Sequence, residues 1–313
     1  MKIALLGATS HIAKGLILNF FKKTEEYSVS LFARNTKKIF EFLEFIEVDV
    51  EDSHVSEFER FNADKEKFDV LINCVGAGTP DKVKGLAVGI FRLTEEFDNL
   101  CLEYLQKNPE ALYINLSSGA VYGSSFAEAA SSKTKTEIDV NEFKQADFYG
   151  LAKLYSECKH RAMVDLNIVD LRVFAYFSRF IDLHGQSLMT EIANSILHNQ
   201  IFRTTPDDIV RDFVHPKDLF SLVECCIKNK KLNDAFDVYS LAPVSKFALL
   251  DFLASSFGLK YQVDGDVSFL NATGIKNQYL SEFRKAEKIG YFPKLKSIES
   301  IEIELKEMLH QNA

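Results

Sequence analysis

Tyr149 and Lys153, in the run Tyr-Gly-Leu-Ala-Lys, place a phenol and an ammonium four residues apart, hence on one face of a helix. An ammonium beside a phenol favours the phenolate, moving a group of ordinary pKa about 10 toward working pH. A proton donor to a carbonyl oxygen, or an acceptor from an alcohol, needs that shift. Chance alone gives about one such spacing in a chain of this length, so its setting carries the weight. Upstream lies Leu116-Ser117-Ser118-Gly119-Ala120-Val121-Tyr122-Gly123, an apolar run ending in hydroxyls that could hold the same oxygen.

A second set of residues suits a phosphate. Gly7-Ala8-Thr9-Ser10-His11-Ile12-Ala13-Lys14-Gly15 follows a short apolar run and opens a helix-like stretch. In a dinucleotide fold such a turn aims backbone N–H groups at a pyrophosphate, at the positive end of the helix. The glycine spacing is degraded: Ser10 and Ala13 stand at the second and third glycine positions, and serine lacks glycine's freedom at positive φ. An ordinary strand–turn–helix would read the same way. Gly7, Thr9, Ser10, His11 and Ile12 are the candidate contacts, joined by Cys74, Val75 and Gly76 where a later strand ends. Phe32-Ala33-Arg34-Asn35-Thr36-Lys37-Lys38 carries three basic residues and no acid. That suits a 2′-phosphate better than a ribose 2′-OH, so NADP is expected, with Arg34 as its ligand; the plainer alternative is a solvated basic turn. Asp49 and Val50 are expected at the adenine edge.

These residues need elements to position them. Strands are expected at Met1–Gly7, Tyr27–Ala33, Phe45–Val50, Asp69–Val75, Ala111–Leu116 and Ile168–Ala175, with helices at Ile12–Lys23, Phe91–Lys107 and Asp147–Met163. Strands joined by helices of this length imply a parallel sheet covered on both faces. From about Ser178 the alternation weakens, with helices at Gln186–Asn199, Pro216–Lys228, Lys246–Ser256, Leu280–Ile289 and Ile298–Leu309. Ser124–Gln145 lacks periodicity and reads as a loop. The expected fold is α/β: a Rossmann-like doubly wound parallel sheet over 1–177, with a return segment around 212–240. A smaller, mostly helical substrate lobe follows over 178–313.

Composition narrows the partners. The 313 residues are 47% hydrophobic and 26% charged, with net charge −8, so a nucleic-acid partner is not expected. Five scattered cysteines with no CxxC pair argue against a disulfide framework or a zinc site and fit the reducing cytoplasm. No metal is expected. No run of about 18 apolar residues occurs, so no membrane span is expected.

The ordered set GATSHIA, SSGAVYG, YGLAK, LRVFAYFSR and RDFVHPKDL, with AEKIGYFP near residue 295, resembles the extended short-chain dehydrogenase/reductases that act on nucleotide sugars. The resemblance implies a catalytic set of Ser118, Tyr149 and Lys153. Tyr149 would move the sugar hydroxyl proton, Ser118 would orient that oxygen, and Lys153 would hold the nicotinamide ribose. Arg211 matches the arginine that grips the substrate's diphosphate, a role suited to a bidentate guanidinium. Gly119 and Ala120 stand where 4,6-dehydratase relatives carry two acids and epimerase-reductases a cysteine. Simple hydride chemistry at one carbon is what remains. With the basic turn at Arg34, the expected activity is NADPH-dependent reduction of a 4-keto nucleotide sugar for a surface glycan. The alternative is an NAD-dependent 4-epimerase or 4-dehydrogenase. A non-catalytic NADP-binding sensor is a third reading, opposed by the intact set. Relatives pair through helices equivalent to 91–107 and 147–163, so a homodimer is expected.

Overall fold

Runs in which nearly every residue is apolar cannot leave either face in water, and here they form the middle of a covered sheet. The computed structural model describes residues 1–51, 54–61, 67–77, 80–123, 126–229, 231–265 and 276–312. The first half contains β1 (Lys2–Leu6), α1 (His11–Phe20), β2 (Ser28–Phe32), α2 (Lys37–Phe45), β3 (Val55–Ser56) and β4 (Val70–Asn73). It continues with α3 (Pro80–Leu86), α4 (Gly89–Lys107), β5 (Leu112–Ser118), α5 (Gln145–Ala162) and β6 (Asn167–Val173). Next come β7 (Ala175–Tyr176), α6 (Leu188–Leu197), β8 (Ile201–Thr204), β9 (Val210–Arg211), β10 (Phe213–Val214) and α7 (Pro216–Lys228). The chain ends with β11 (Asn233–Val238), β12 (Val244–Ser245), α8 (Lys246–Phe257), β13 (Lys260–Val263), β14 (Gln278–Tyr279) and α9 (Ser297–Asn312). No helix among the described residues is long and apolar enough to cross a membrane.

Seven strands form one parallel sheet in the order β11-β6-β5-β4-β1-β2-β3. The order reverses between β1 and β4, which opens a crevice at the carboxyl ends of those two strands. One face packs on α1 and α7 through Leu5, Ile17, Leu219 and Phe236; the other packs on α4 through Leu6, Phe97, Leu102 and Tyr113. A third core, with Met189, Phe202, Leu250, Ile301 and Leu305, holds α6, α8 and α9 together.

Three expected elements differ. The run Phe45–Val50 is not a strand. Ile39, Phe42 and Leu43 recur at helical spacing and are buried, so α2 extends to Phe45, and Glu47 then turns the chain at φ 56°. The sheet position is taken instead by Val55–Ser56, with Val55 opposite Leu31. The helix expected at Leu280–Ile289 shrinks to a 3₁₀ turn at Lys285–Ile289. Its first part is held extended, because Ala130 N donates to the Leu280 carbonyl and Glu282 N to the Ala130 carbonyl. The sixth strand breaks after Val173, and Ala175–Tyr176 pairs with β10 instead of with the main sheet. Most of Ser124–Gln145 is irregular as expected, and Ser124–Ser125 lie outside the described residues.

The face of α5 that meets the sheet is charged rather than apolar. His160 is fully buried, with Nδ1 2.9 Å from Asp170 and Nε2 2.7 Å from Asp98. Lys159 pairs with Asp98 at 2.7 Å and Arg161 with Asp170 at 2.8 Å. With a carboxylate at each ring nitrogen, the imidazole carries both protons. Burial alone would lower its pKa, but the bonds to Asp170 and Asp98 overcome this and raise it from 6.5 to about 9. A raised folded pKa stabilises fully below the unfolded value and loses that contribution as pH rises through about 9. His160→Gln is therefore expected to destabilise the fold by about 3 kcal/mol at pH 7. It should also flatten the fall in urea midpoint between pH 7 and 9.5, measured by circular dichroism.

Candidate active site

β5 is buried along its whole length and carries the apolar run out to two serines at the crevice. The chain then tightens into a 3₁₀ turn, Gly119–Tyr122, with Ser118 Oγ accepting from Ala120 N at 3.2 Å. Space around that turn is filled. A Cβ on Gly119 would meet the Phe174 ring at 2.4 Å, and a Cβ on Gly150 would lie 2.5 Å from the Ala120 carbonyl oxygen. Glycine at 150 thus lets α5 touch the turn after β5, setting Tyr149 and Lys153 beside Ser118.

Lys153 is 4% exposed, and its Nζ donates to the Leu116 carbonyl at 2.8 Å. Burial lowers its pKa while Asp98, Asp170 and Glu157 raise it. On its other side the ammonium faces Gly76, where a Cβ would come within 3.9 Å. Lys153 thus bridges the end of β5 and the exit of β4, at the crevice. Tyr149 is half-buried, and its pKa is raised by burial while a hydrogen bond to Ser118 lowers it. The lowering expected from Lys153 is absent because that ammonium is turned to the Leu116 carbonyl, so the resting phenol stays neutral.

Tyr279, a residue the sequence reading did not single out, completes the site. Its hydroxyl lies 3.1 Å from Ser118 Oγ, delivered from the C-terminal lobe by β14. β14 pairs with β9 so that Tyr279 sits opposite Arg211, whose guanidinium is 6.0 Å from the tyrosine ring. Arg211 donates to the Val210 carbonyl, and burial brings its pKa down to about 10. Lys276 stands above the Tyr279 ring at 3.9 Å, and burial and Arg211 together lower its pKa to about 7. Arg211 therefore stands beside Tyr279, one ring away from Ser118, whereas Lys276 and Tyr279 carried no sequence signal beyond being polar residues in a weakly patterned tail.

The candidate cofactor residues gather at the crevice, with exceptions. Gly7 turns the chain at φ 79°, and a Cβ there would lie 2.8 Å from the Cys74 carbonyl carbon, so β1 and β4 approach each other only with glycine. Ser10 adopts φ −74° and caps α1 by accepting from Ala13 N, so the degraded motif needs no second glycine. The first turn of α1 carries no acid, leaving its N–H groups suited to an anion. Thr9, His11 and Ile12 lie on that turn, half-buried, and His11 packs edge-on to Tyr176. Cys74 is buried, Val75 N donates to Asn73 Oδ1, and Gly76 is exposed. These features fit a dinucleotide. Arg34 is exposed just past β2, in a turn where Asn35 Oδ1 accepts from Lys38 N. Asp49 and Val50 stand not at a strand end but in the irregular segment between α2 and β3. Glu57 and Phe58, directly after β3, occupy the sheet end instead.

A dinucleotide crevice beside a Ser–Tyr–Lys set defines an oxidoreductase-type enzyme of the extended short-chain class. The sequence pattern of the NAD dependent epimerase/dehydratase family matches residues 3–242, and the chain belongs to that family. No curated protein matches the chain significantly in sequence. Similar solved structures include UDP-glucuronic acid 4-epimerase from Bacillus cereus with UDP-glucuronic acid and NAD (16% identity, TM-score 0.75, 99% of each chain). UDP-glucose 4-epimerase from Thermotoga maritima with UDP-glucose is similar at 13% identity, TM-score 0.78 and 100% of each chain. UDP-glucose-4-epimerase from Stenotrophomonas maltophila, with NAD and formylated UDP-arabinopyranose, is similar at 14% identity and TM-score 0.80, over 100% of this chain and 99% of that one.

The docking of α5 can be tested at two glycines. Gly150→Ala should destabilise by about 1–3 kcal/mol, because the added methyl meets a backbone oxygen. Gly85→Ala, with open space around it, should be neutral or slightly stabilising. Paired urea titrations check both, and equal stability of the two variants would contradict the contact.

Proposed function

We propose that this protein is an NAD-dependent 4-epimerase of a nucleoside diphosphate sugar, UDP-linked in the first instance. The observation that carries the reading is the packing at 119–120. Phe174 fills the space beside Gly119, and Ala120 is 3% exposed against Gly150, so an elimination acid has no room there. Oxidation and reduction at one carbon is the chemistry left to Ser118, Tyr149 and Lys153. Neighbouring structures with NAD and UDP-sugars support this cofactor and substrate class over NADPH and a 4-keto substrate.

The nicotinamide ring, when bound, supplies the electron sink and source at the sugar carbon. Ser118 Oγ holds the sugar O4 while Tyr149 takes its proton on oxidation and returns it on reduction. Tyr149 starts neutral, and a positive charge brought beside it lowers its pKa and makes it a base. Lys153, already between β4 and β5, donates to the ribose. Gly7, Thr9, Ser10 and Ile12 line the pyrophosphate turn, and Arg211 grips the substrate diphosphate. A homodimer through α4 and α5 belongs to this reading, since Phe91 and Tyr155 are exposed on their outer faces.

One observation favours the NADPH-dependent reductase instead: exposed Arg34 at the end of β2, with no acid in that turn. The two readings separate on the cofactor. Denaturing the purified protein should release NAD or NADH, and the emptied protein should bind NADH at least as tightly as NADPH. Exchangeable NADPH with clear preference, lost in Arg34→Ala, would favour the reductase. In either case Tyr149→Phe should slow turnover by about 10²–10⁴-fold. A loss under threefold would remove Tyr149 from the proton transfer.

A further inference from the structure

Lys276 is 7% exposed, yet among the described residues no carboxylate faces its ammonium. Its ammonium rests on the faces of Tyr279 at 3.9 Å and Phe126 at 5.4 Å, with the second cation, Arg211, pushing its pKa down. A buried ammonium without an anion is costly, and aromatic faces offset only part of that cost. Backbone pairing fixes where that side chain starts: Lys276 bridges to Phe126, and β14, two residues on, pairs with β9. It lies one aromatic ring from Ser118 Oγ, because Tyr279 joins the two.

Resting on the nucleotide-sugar reading above, we infer that Lys276 binds an acidic group on the sugar itself, a carboxylate on the carbon next to the reacting one. The substrate class is then a nucleotide-linked uronic acid, not a neutral hexose. The reacting oxygen is held at Ser118, and a substituent on the adjacent ring carbon falls at the Tyr279 face. Arg211 flanks the same ring from β9, so the diphosphate and the acidic group of the sugar would be met by neighbouring cations. A carboxylate at Lys276 restores its full charge and removes the unpaired state; a neutral CH₂OH does neither.

The experiment is calorimetric titration of the NAD-loaded protein with UDP, UDP-glucose and UDP-glucuronic acid, for wild type, Lys276→Met and Lys276→Arg. Wild type should bind UDP-glucuronic acid at least tenfold more tightly than UDP-glucose. Lys276→Met should bring that ratio below threefold while UDP affinity stays within threefold of wild type, which also shows that the variant is folded. Lys276→Arg should keep most of the preference. Absence of the preference in wild type, with all three ligands bound, overturns the inference alone. So does an equal loss for all three ligands in Lys276→Met with Lys276→Arg normal, since Lys276 then serves the diphosphate. Failure of wild type to bind any of the three overturns the nucleotide-sugar reading, and this inference with it.

Discussion

The candidate site depends on the contact between α5 and the end of β5. Three bonds or close approaches make it: Lys153 to the Leu116 carbonyl, Ser117 Oγ to Glu157 at 2.6 Å, and Gly150 against the Ala120 carbonyl. Each spans two elements far apart in sequence, and together they fix the helix in rotation and in translation along its axis. Tyr149 has no other means of facing Ser118. Its position follows from the strand end, and the crevice at that end follows from the order reversal between β1 and β4.

Behind that contact the protein keeps charge inside instead of hydrocarbon. Glu157 receives Arg172 at 2.6 Å, and Arg172 reaches Tyr122 at 2.8 Å, whose hydroxyl donates to Asp237. Ser281 also donates to Asp237, so the chain of polar contacts runs from α5 across β6 and β11 to the C-terminal tail. Such a network stabilises less than an apolar core of equal volume would, but it tolerates one register only, because a shift strands a buried charge. The position of Lys153 benefits directly. Asp98, Asp170 and Glu157 raise its pKa against the effect of burial, favouring an ammonium at the crevice.

How much of this was legible in the sequence follows from the range of the forces. Strands β1, β2, β4, β5 and β6, and α7, expected and found at Pro216–Lys228, are set by local apolar pattern and, for α7, an N-terminal proline, and patterns of that kind can be read from one segment. Phe45–Val50 misled because its alternation suits a strand, while the buried helical stripe Ile39, Phe42 and Leu43 carries α2 through Phe45, which itself stays exposed. Leu280–Ile289 misled for the opposite reason: its helical spacing loses to backbone pairing with Ala130, a partner 150 residues away. Ser118, Tyr149, Lys153 and Arg211 lie in motifs, and the structure brings them together. Tyr279 and Lys276 reach the same place only through the pairing of two-residue strands, which no local pattern announces.

That difference in origin divides the site into two mechanical parts. Ser118, Tyr149 and Lys153 stand on a seven-residue strand and an eighteen-residue helix locked by buried ion pairs. Arg211 and Tyr279 stand on β9 and β14, and Lys276 on a single bridge to Phe126, all too short to hold themselves; ring contacts keep them in register, Phe126 with Tyr279 at 4.9 Å and Phe174 with Tyr279 at 5.2 Å. Phe174 is also the ring that fills the space beside Gly119. The same side chain therefore packs both on the turn after β5 and on the ring cluster around β14. A change in that cluster that moved Tyr279 would reach Ser118 through one hydrogen bond, while Lys153, tied to the sheet, would stay. Side chains on the short strands can thus change without moving Tyr149 and Lys153, provided Phe174 keeps its place.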